Sequence, residues 1–249
     1  MNYKEYIKWN RAPTTWCPGC SIGTVFKQLT FALESLDIRR EELVVVSGIG
    51  CSGRAAGYFK GDSVHTTHGR AISVAEGIKR GNKKLKVVVF SGDGDLVGIG
   101  GNHLLHSSRR NIDMTVICIN NEIYGMTGGQ MAPTTREGVK TLTSPFGNKH
   151  APINIQGIVT SNNKHFYARS SCFQLNHLQN CIKEAIKWNG FAFVDVISYC
   201  IENNGRRLGF NSGFEMMQKI KTDFKINTNP VIKLKDNELG IIKNEHKED

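Results

Sequence analysis

Between Lys86 and Thr135 the chain reads KVVVFSGDGDLVGIGGNHLLHSSRRNIDMTVICINNEIYGMTGGQMAPTT. Val87 to Phe90 is a short β-branched and aromatic run, the pattern of a strand buried on both faces. It breaks at Gly92-Asp93-Gly94-Asp95. A helical segment follows over about 100–110, and a second apolar run extends from Met114 to Ile119. Strand, crossover helix, strand is the parallel unit of an open α/β sheet, and such sheets bind ligands at the C-terminal ends of their strands. Both strand ends here carry unusual chemistry. The first is glycine-rich with two aspartates. The second opens with Asn120-Asn121 and runs on through Gly125, Thr127, Gly128 and Gly129.

Glycines let backbone N–H groups approach a phosphate closely. Asp93 offers a hard anionic oxygen, and Asn121, 28 residues later, a neutral amide oxygen. Such a pair suits Mg²⁺, which takes a few protein oxygens together with substrate phosphates. The segment therefore reads as a site for a diphosphate bridged to protein by magnesium. The GK[ST] of a Walker loop is absent. GDG alone is a weak signal, because a bare strand-end turn has the same composition.

The remaining chain fits one large α/β domain. At 249 residues it can bury a sizeable core. Apolar residues at 39% and charged residues at 22% describe an ordinary globule, and 26 glycines favour a site built from loops. No apolar run reaches the roughly 18 residues needed to span a bilayer, and the N-terminus lacks the apolar core of a signal peptide; a cytoplasmic protein is expected. The net charge of +10 is spread along the chain with no nucleic-acid module, so an acidic protein partner is the better use of it than nucleic acid.

Strands are expected at 43–47, 165–169 and 191–197, and helices at 21–36, with Ser21 as a cap, 71–80, 154–161 and 175–188. Residues 61–70, holding His65, His68 and Arg70, read as a polar loop, and 136–151 as a long functional or partner-covered loop. Residues 1–20 form an arm, 21–213 the binding domain, and 214–249 a C-terminal arm, partly disordered, the stretch from 227 being extended or disordered.

Seven cysteines in such a chain argue against a disulfide framework. Cys118, Cys172 and Cys181 lie in or beside apolar segments and read as small core residues. Cys17, Cys20, Cys51 and Cys200 lie in turns or at strand ends. Four thiolates bind tetrahedral Zn²⁺ or an iron–sulfur cluster, and composition does not choose between them.

Taken together, CPGC near the N-terminus, GIGC after the first strand, GDGD followed by NN, YG-T-GGQ-APTT, and a late cysteine after DVIS resemble one family over residues 16 to about 213. It is the beta subunit of the 2-oxoacid:ferredoxin oxidoreductases, whose fold is a doubly wound, mostly parallel α/β sheet that binds thiamine diphosphate by its diphosphate end. The resemblance implies Asp93, Asn121 and the carbonyl of Ile123 as Mg²⁺ ligands. It implies Ile49, Gly50, Cys51, Ser52, His68, Gly92, Gly94, Asp95, Gly125, Met126 and Thr127 beside the cofactor. It also implies a [4Fe-4S] cluster on Cys17, Cys20, Cys51 and Cys200. Arg54, His68 and Arg70 are candidates to bind the substrate carboxylate, Arg offering a bidentate fork. The activity implied is coenzyme A-dependent oxidative decarboxylation of a 2-oxoacid, with electrons passing through the cluster to ferredoxin. HGRA and GCSGR resemble the 2-oxoglutarate branch more than the pyruvate or branched-chain branches. A non-redox thiamine enzyme would need no cysteine set, and a zinc module would leave the paired glycine loops unexplained. An alpha subunit is expected to supply the pyrimidine-side domain. Where many relatives have Gly-His-Gly after CPGC, this chain has Ser21-Ile22-Gly23.

Overall fold

The computed structural model describes residues 2–230 and 232–245. Its central feature is an eight-stranded sheet in the order β2-β1-β3-β4-β8-β7-β10-β9. These strands are β1 (Leu43–Ser47), β2 (Asp62–His65), β3 (Lys86–Gly92), β4 (Met114–Asn120), β7 (His165–Ser171), β8 (Phe191–Ile197), β9 (Lys225–Ile226) and β10 (Glu238–Asn244). A separate two-residue hairpin pairs β5 (Ile123–Tyr124) with β6 (Gln130–Met131). From β2 to β7 every neighbouring pair is parallel, and β10 runs antiparallel to β7. The expected mostly parallel α/β sheet is what the chain forms.

Why these segments become central strands follows from burial on both faces. Every residue of β1 and β4 is buried. Because side chains alternate, the sheet divides its apolar residues between two cores. Val45, Val88, Phe90, Ile117, Ile119 and Val194 pack with α1 (Ile22–Ser35) and α6 (Leu175–Lys187). Val44, Val46, Val87, Val89, Val116 and Phe193 pack with residues of α3 (Ala71–Gly81), α4 (Gly101–Arg109) and α5 (Ile155–Thr160) on the other face. Two short or terminal helices, α2 (Ala55–Tyr58) and α7 (Gly213–Asp223), add Ala55, Tyr58, Met216 and Ile220 to the first core. Cys118, Cys172 and Cys181 are buried, as core residues should be.

The structure corrects four local expectations. Residues 62–65 form an edge strand rather than a loop; pairing on one side only, with its side chains partly exposed, it lacks the apolar signature of a central strand. The N-terminal arm is docked: Tyr6 is fully buried, and its hydroxyl donates to the Ile38 carbonyl at 2.5 Å. The C-terminal stretch is not an arm throughout. α7 buries Met216 and Ile220, and Leu239 and Ile242 of β10 are buried where that strand enters the sheet between β7 and β9; residues 231 and 246–249 lie outside the described residues. Finally, Ser21 occupies the cap position of α1 without capping it, because its hydroxyl pairs with that of Ser198 at 2.6 Å.

Candidate active site

The chain leaves β1 toward the outer strand β2 and leaves β3 in the opposite direction toward β4. The C-terminal ends of β1 and β3 therefore flank a point where the strand order reverses, the place where α/β sheets open a crevice. Four segments meet there: Gly48–Arg54 after β1, Thr66–Arg70 after β2, Gly92–Asp95 after β3, and Asn120–Gly129 after β4.

Asp95 ties three of these together. Its Oδ1 accepts from the Ile49 N–H at 3.0 Å, the Gly69 N–H at 2.8 Å and lies 2.8 Å from His68 Nδ1, while Oδ2 accepts from the Ser91 hydroxyl at 3.0 Å. The carboxylate is 2% exposed. It comes so near the β1 turn that a Cβ on Gly48 would sit 1.9 Å from Oδ2, so position 48 admits no side chain. Both of its oxygens are engaged within the protein, Oδ1 by the loops after β1 and β2 and Oδ2 by Ser91 of β3. His68 is held by its Nδ1, and its side chain stays about a third exposed.

As a charged residue at a strand end, Asp93 is expected to be open to solvent. It is 2% exposed, and burial pushes its carboxyl from the usual 3.8 up to about 7, against the opposing pull of the Thr134 hydroxyl and the Gly94 N–H. Thr134 donates to Asp93 Oδ2. The correction has a physical cause: the 134–135 segment folds back over the strand end, held by Thr135, whose hydroxyl donates to the Glu122 carbonyl at 2.6 Å. Among the described residues no cation pairs with this buried carboxylate, and a divalent ion would relieve it. Asn121 is half-buried, its amide oxygen accepting from the Ile123 N–H at 3.2 Å, which folds this segment into the tight β5 turn and brings amide and carbonyl oxygens to the same end of the sheet. The residues present thus fit Mg²⁺ in chemical type: one carboxylate, one amide oxygen, one backbone carbonyl.

After Asp93 the chain does not start an ordinary helix. Gly94–Ile99 is wound wider, as a π-turn, before α4 begins; such turns concentrate at functional sites. Gly94 lies under Tyr124, where a Cβ would be 2.3 Å from the ring, and Tyr124 donates to the Gly94 carbonyl at 3.2 Å. Ser52 is buried against Gly92, whereas Ile49 and Met126 are exposed at 38% and 45%. Gly50 adopts φ +114°, a backbone shape that favours glycine. Thr127 is exposed and gives its hydroxyl to Gln130. Arg54 is exposed at the start of α2, and Arg70 is exposed with its guanidinium on its own loop, donating to the Gly69 carbonyl at 3.3 Å.

The four turn cysteines come together from three segments. Cys17 and Cys20 lie on one turn, closed by Cys20 N–H to the Cys17 carbonyl at 3.0 Å. Trp16 joins that turn to the β1 loop by donating from Nε1 to the Cys51 carbonyl at 2.8 Å. Tyr199, next to Cys200, donates to the Gly19 carbonyl at 2.8 Å. Burial raises the thiol of Cys20 to about 11, and the neighbouring Cys51, Cys17 and Cys200 push in the same direction; Cys51 and Cys200 are raised for the same reasons. Cys20, Cys51 and Cys200, whose ionisation burial and neighbouring thiols oppose, fit a cationic iron–sulfur centre, which would favour the thiolates. Among the described residues no three His, Cys, Asp or Glu side chains close on a single metal ion. A cluster, whose own body separates its ligands, asks for less convergence than one ion does.

Residues 48–196 match the family described as thiamine pyrophosphate enzyme, C-terminal TPP binding domain. The 2-oxoglutarate synthase subunit KorB of Methanothermobacter thermautotrophicus is 45% identical over 95% of this chain and 82% of that one. The 2-oxoacid:ferredoxin oxidoreductase subunit beta of Saccharolobus solfataricus is 41% identical over 78% of this chain and 63% of its own. The chain belongs to the beta-subunit family of the 2-oxoacid:ferredoxin oxidoreductases. Among solved structures it resembles 2-oxoglutarate:ferredoxin oxidoreductase from Magnetococcus marinus, determined with 2-oxoglutarate, coenzyme A and succinyl-CoA bound, with a TM-score of 0.87, 28% identity, and coverage of 100% of this chain and 86% of that one.

For this beta subunit, sequence reasoning passed over several residues that build the site. Thr134 sits in the APTT motif but had no assigned role until its contact with Asp93 was seen. Ser91 and Tyr124 act on Asp95 and Gly94 from within or beside strands. Asn203 donates to the Gly125 carbonyl at 2.7 Å from a segment 78 residues away. None of these contacts has a local sequence signal.

Proposed function

We propose that this beta subunit supplies the diphosphate half of a thiamine diphosphate site and the first electron acceptor of a 2-oxoglutarate:ferredoxin oxidoreductase, which makes succinyl-CoA and CO₂ from 2-oxoglutarate and coenzyme A. One observation carries the reading. The loop that follows Asn121 touches a cysteine of the four: a Cβ on Gly125 would lie 3.1 Å from Cys200 Sγ. Cofactor loop and thiol nest are thus one continuous structure, as coupling of decarboxylation to one-electron transfer requires.

In this reading Asp93, Asn121 and the Ile123 carbonyl hold Mg²⁺, and Gly92, Gly94, Gly125, Met126 and Thr127 border the diphosphate. Ile49, Gly50, Cys51 and Ser52 run between cofactor and cluster. When bound, thiamine diphosphate serves as the electron sink for loss of CO₂. Asp95 acts on the loops and is a positioning residue. His68 Nε2, with Arg70 and Arg54 at the rim, receives the substrate carboxylates. Cys17, Cys20, Cys51 and Cys200 hold a [4Fe-4S] cluster.

The alpha subunit covers the crevice from outside. Supporting this, the 136–151 loop is pinned beside the cofactor loop by Leu142 N–H to the Gly129 carbonyl at 2.8 Å, yet it leaves Phe146 92% and Leu142 49% exposed. Large apolar side chains beside a ligand crevice mark a surface for a partner.

Reconstitution tests the proposal. The purified chain is expected to contain iron and sulfide and to reduce no ferredoxin by itself. Addition of the alpha subunit should bring 2-oxoglutarate- and coenzyme A-dependent reduction. Turnover by this chain alone, scaling with its concentration, would sink the half-site reading.

A further inference from the structure

Electrons that reach the cysteine nest must leave through nearby surface. Cys17 is exposed, so the nest borders solvent on the side of the Cys17–Cys20 turn. A second stretch of chain walls that side. Gly213, at the start of α7, lies so close to the turn that a Cβ there would be 3.0 Å from the Gly19 carbonyl oxygen and 3.3 Å from Ile201 Cδ1. The segment leading into it, Asn203 to Phe214, reads NNGRRLGFNSGF and contains no acidic residue.

This stretch presents two kinds of group. Arg206 is 80% exposed, and its contact with Glu202 is long, at 3.6 Å, in an exposed setting where such pairs are worth little. Arg207 is exposed as well. In the same stretch Phe214 is 65% and Leu208 36% exposed. Apolar anchors flanked by arginine are the composition of a protein-binding patch. The next acidic residue, Glu215, is turned back on its own helix start, accepting from the Asn211 N–H at 3.0 Å.

We propose that the exposed Arg206, Arg207, Leu208 and Phe214, on the stretch that meets the Cys17–Cys20 turn at Gly213, form the docking surface for a small acidic electron-carrier protein. The proposal rests on the function given above and specifies where its acceptor binds. Charge complementarity names the occupant: the chain carries +10 overall, this stretch is purely cationic, and it adjoins the exposed end of the redox centre. Steering by such a patch raises the encounter rate with an acidic partner and weakens as salt screens it.

The test uses the assembled two-subunit enzyme with the double variant Arg206→Glu/Arg207→Glu. Reduction of ferredoxin and of a small artificial dye is followed with 2-oxoglutarate and coenzyme A across a range of ionic strength. The KM for ferredoxin should rise about tenfold or more, and its salt dependence should flatten or reverse. Dye reduction and iron content should stay at the wild-type level, because neither requires the protein partner. Lys83→Glu/Lys84→Glu, exposed at the N-terminal end of β3, makes the same charge change at the far end of the sheet and should leave both activities unchanged. An unchanged KM and salt dependence in the Arg206/Arg207 variant, with dye and ferredoxin reduction normal in the wild type, would overturn the docking face alone. So would loss of subunit assembly in that variant, which would give the face to the subunit interface. A wild-type complex that reduces neither acceptor would overturn the function on which the proposal stands.

Discussion

Asp93→Asn should make the metal-free protein more stable while removing its affinity for Mg²⁺. Burial pushes the Asp93 carboxyl from 3.8 to about 7. The sign follows from linkage. An acid whose folded pKa is raised gives up stability as pH climbs above its unfolded value, and the loss is complete once pH passes the folded value. A displacement of about three pH units, at about 1.4 kcal/mol each, makes the full cost about 4 kcal/mol. At pH 5.5 only the part accrued since 3.8 is felt, about 2 kcal/mol. Asparagine has no charge to bury, and its amide oxygen can still accept from Thr134. In chelator, urea unfolding of the isolated chain should therefore show Asp93→Asn more stable by about 4 kcal/mol at pH 8 and about 2 kcal/mol at pH 5.5. With Mg²⁺ and thiamine diphosphate the gap should narrow to about 1 kcal/mol at pH 8 and reverse slightly at pH 5.5. A ligand at a hundred times its dissociation constant adds about 2.7 kcal/mol to a protein that binds it, and only the wild type should gain. A variant no more stable than wild type at pH 8, with the same slope against pH, would refute the argument that Asp93 is a strained, cation-seeking carboxylate.

Asp95→Ala should weaken thiamine diphosphate binding by calorimetry about 10- to 100-fold, the range for groups that orient ligand-bearing residues, with Asp95→Asn affected less because its amide oxygen still accepts from the Ile49 and Gly69 N–H groups. Unchanged affinity in Asp95→Ala would remove it as the tie between the loops. Serine at Cys17, Cys20, Cys51 or Cys200 should deplete iron and sulfide in the purified protein, whereas Cys172→Ser, at a buried position whose thiol burial raises to about 12, should leave both intact. Full iron content and unchanged redox behaviour in Cys200→Ser would exclude that residue as the fourth ligand.

How legible was this in the amino-acid order? The central strands were, because a strand buried on both faces must be apolar along its whole length; the runs 43–47 and 191–197 match β1 and β8 residue for residue. The helix over 175–188 was legible from Leu178, Ile182, Ala185 and Ile186 at helical spacing, and the structure buries all four. Edge elements were not. β2 needs neighbours on one side only and so tolerates Asp62, Ser63 and His65, and β10 lies in a charged tail, where its alternation carries little weight until β7 is beside it. No helix among the described residues is long and apolar enough to cross a membrane.

The candidate site divides in the same way. The order of residues alone determined which donors exist: a carboxylate and an amide one strand-helix-strand unit apart, glycines where backbone must come close, four cysteines outside apolar segments. Their directions were decided by tertiary structure. Whether an aspartate at a strand end faces solvent, a metal or its own protein depends on what folds over it, and the covering groups come from distant stretches: Thr134 over Asp93, Ile49 and Gly69 around Asp95, Tyr199 against Gly19. Hydrogen bonds form between atoms about 3 Å apart, and a linear sequence holds no such distances until the sheet has brought its strand ends together.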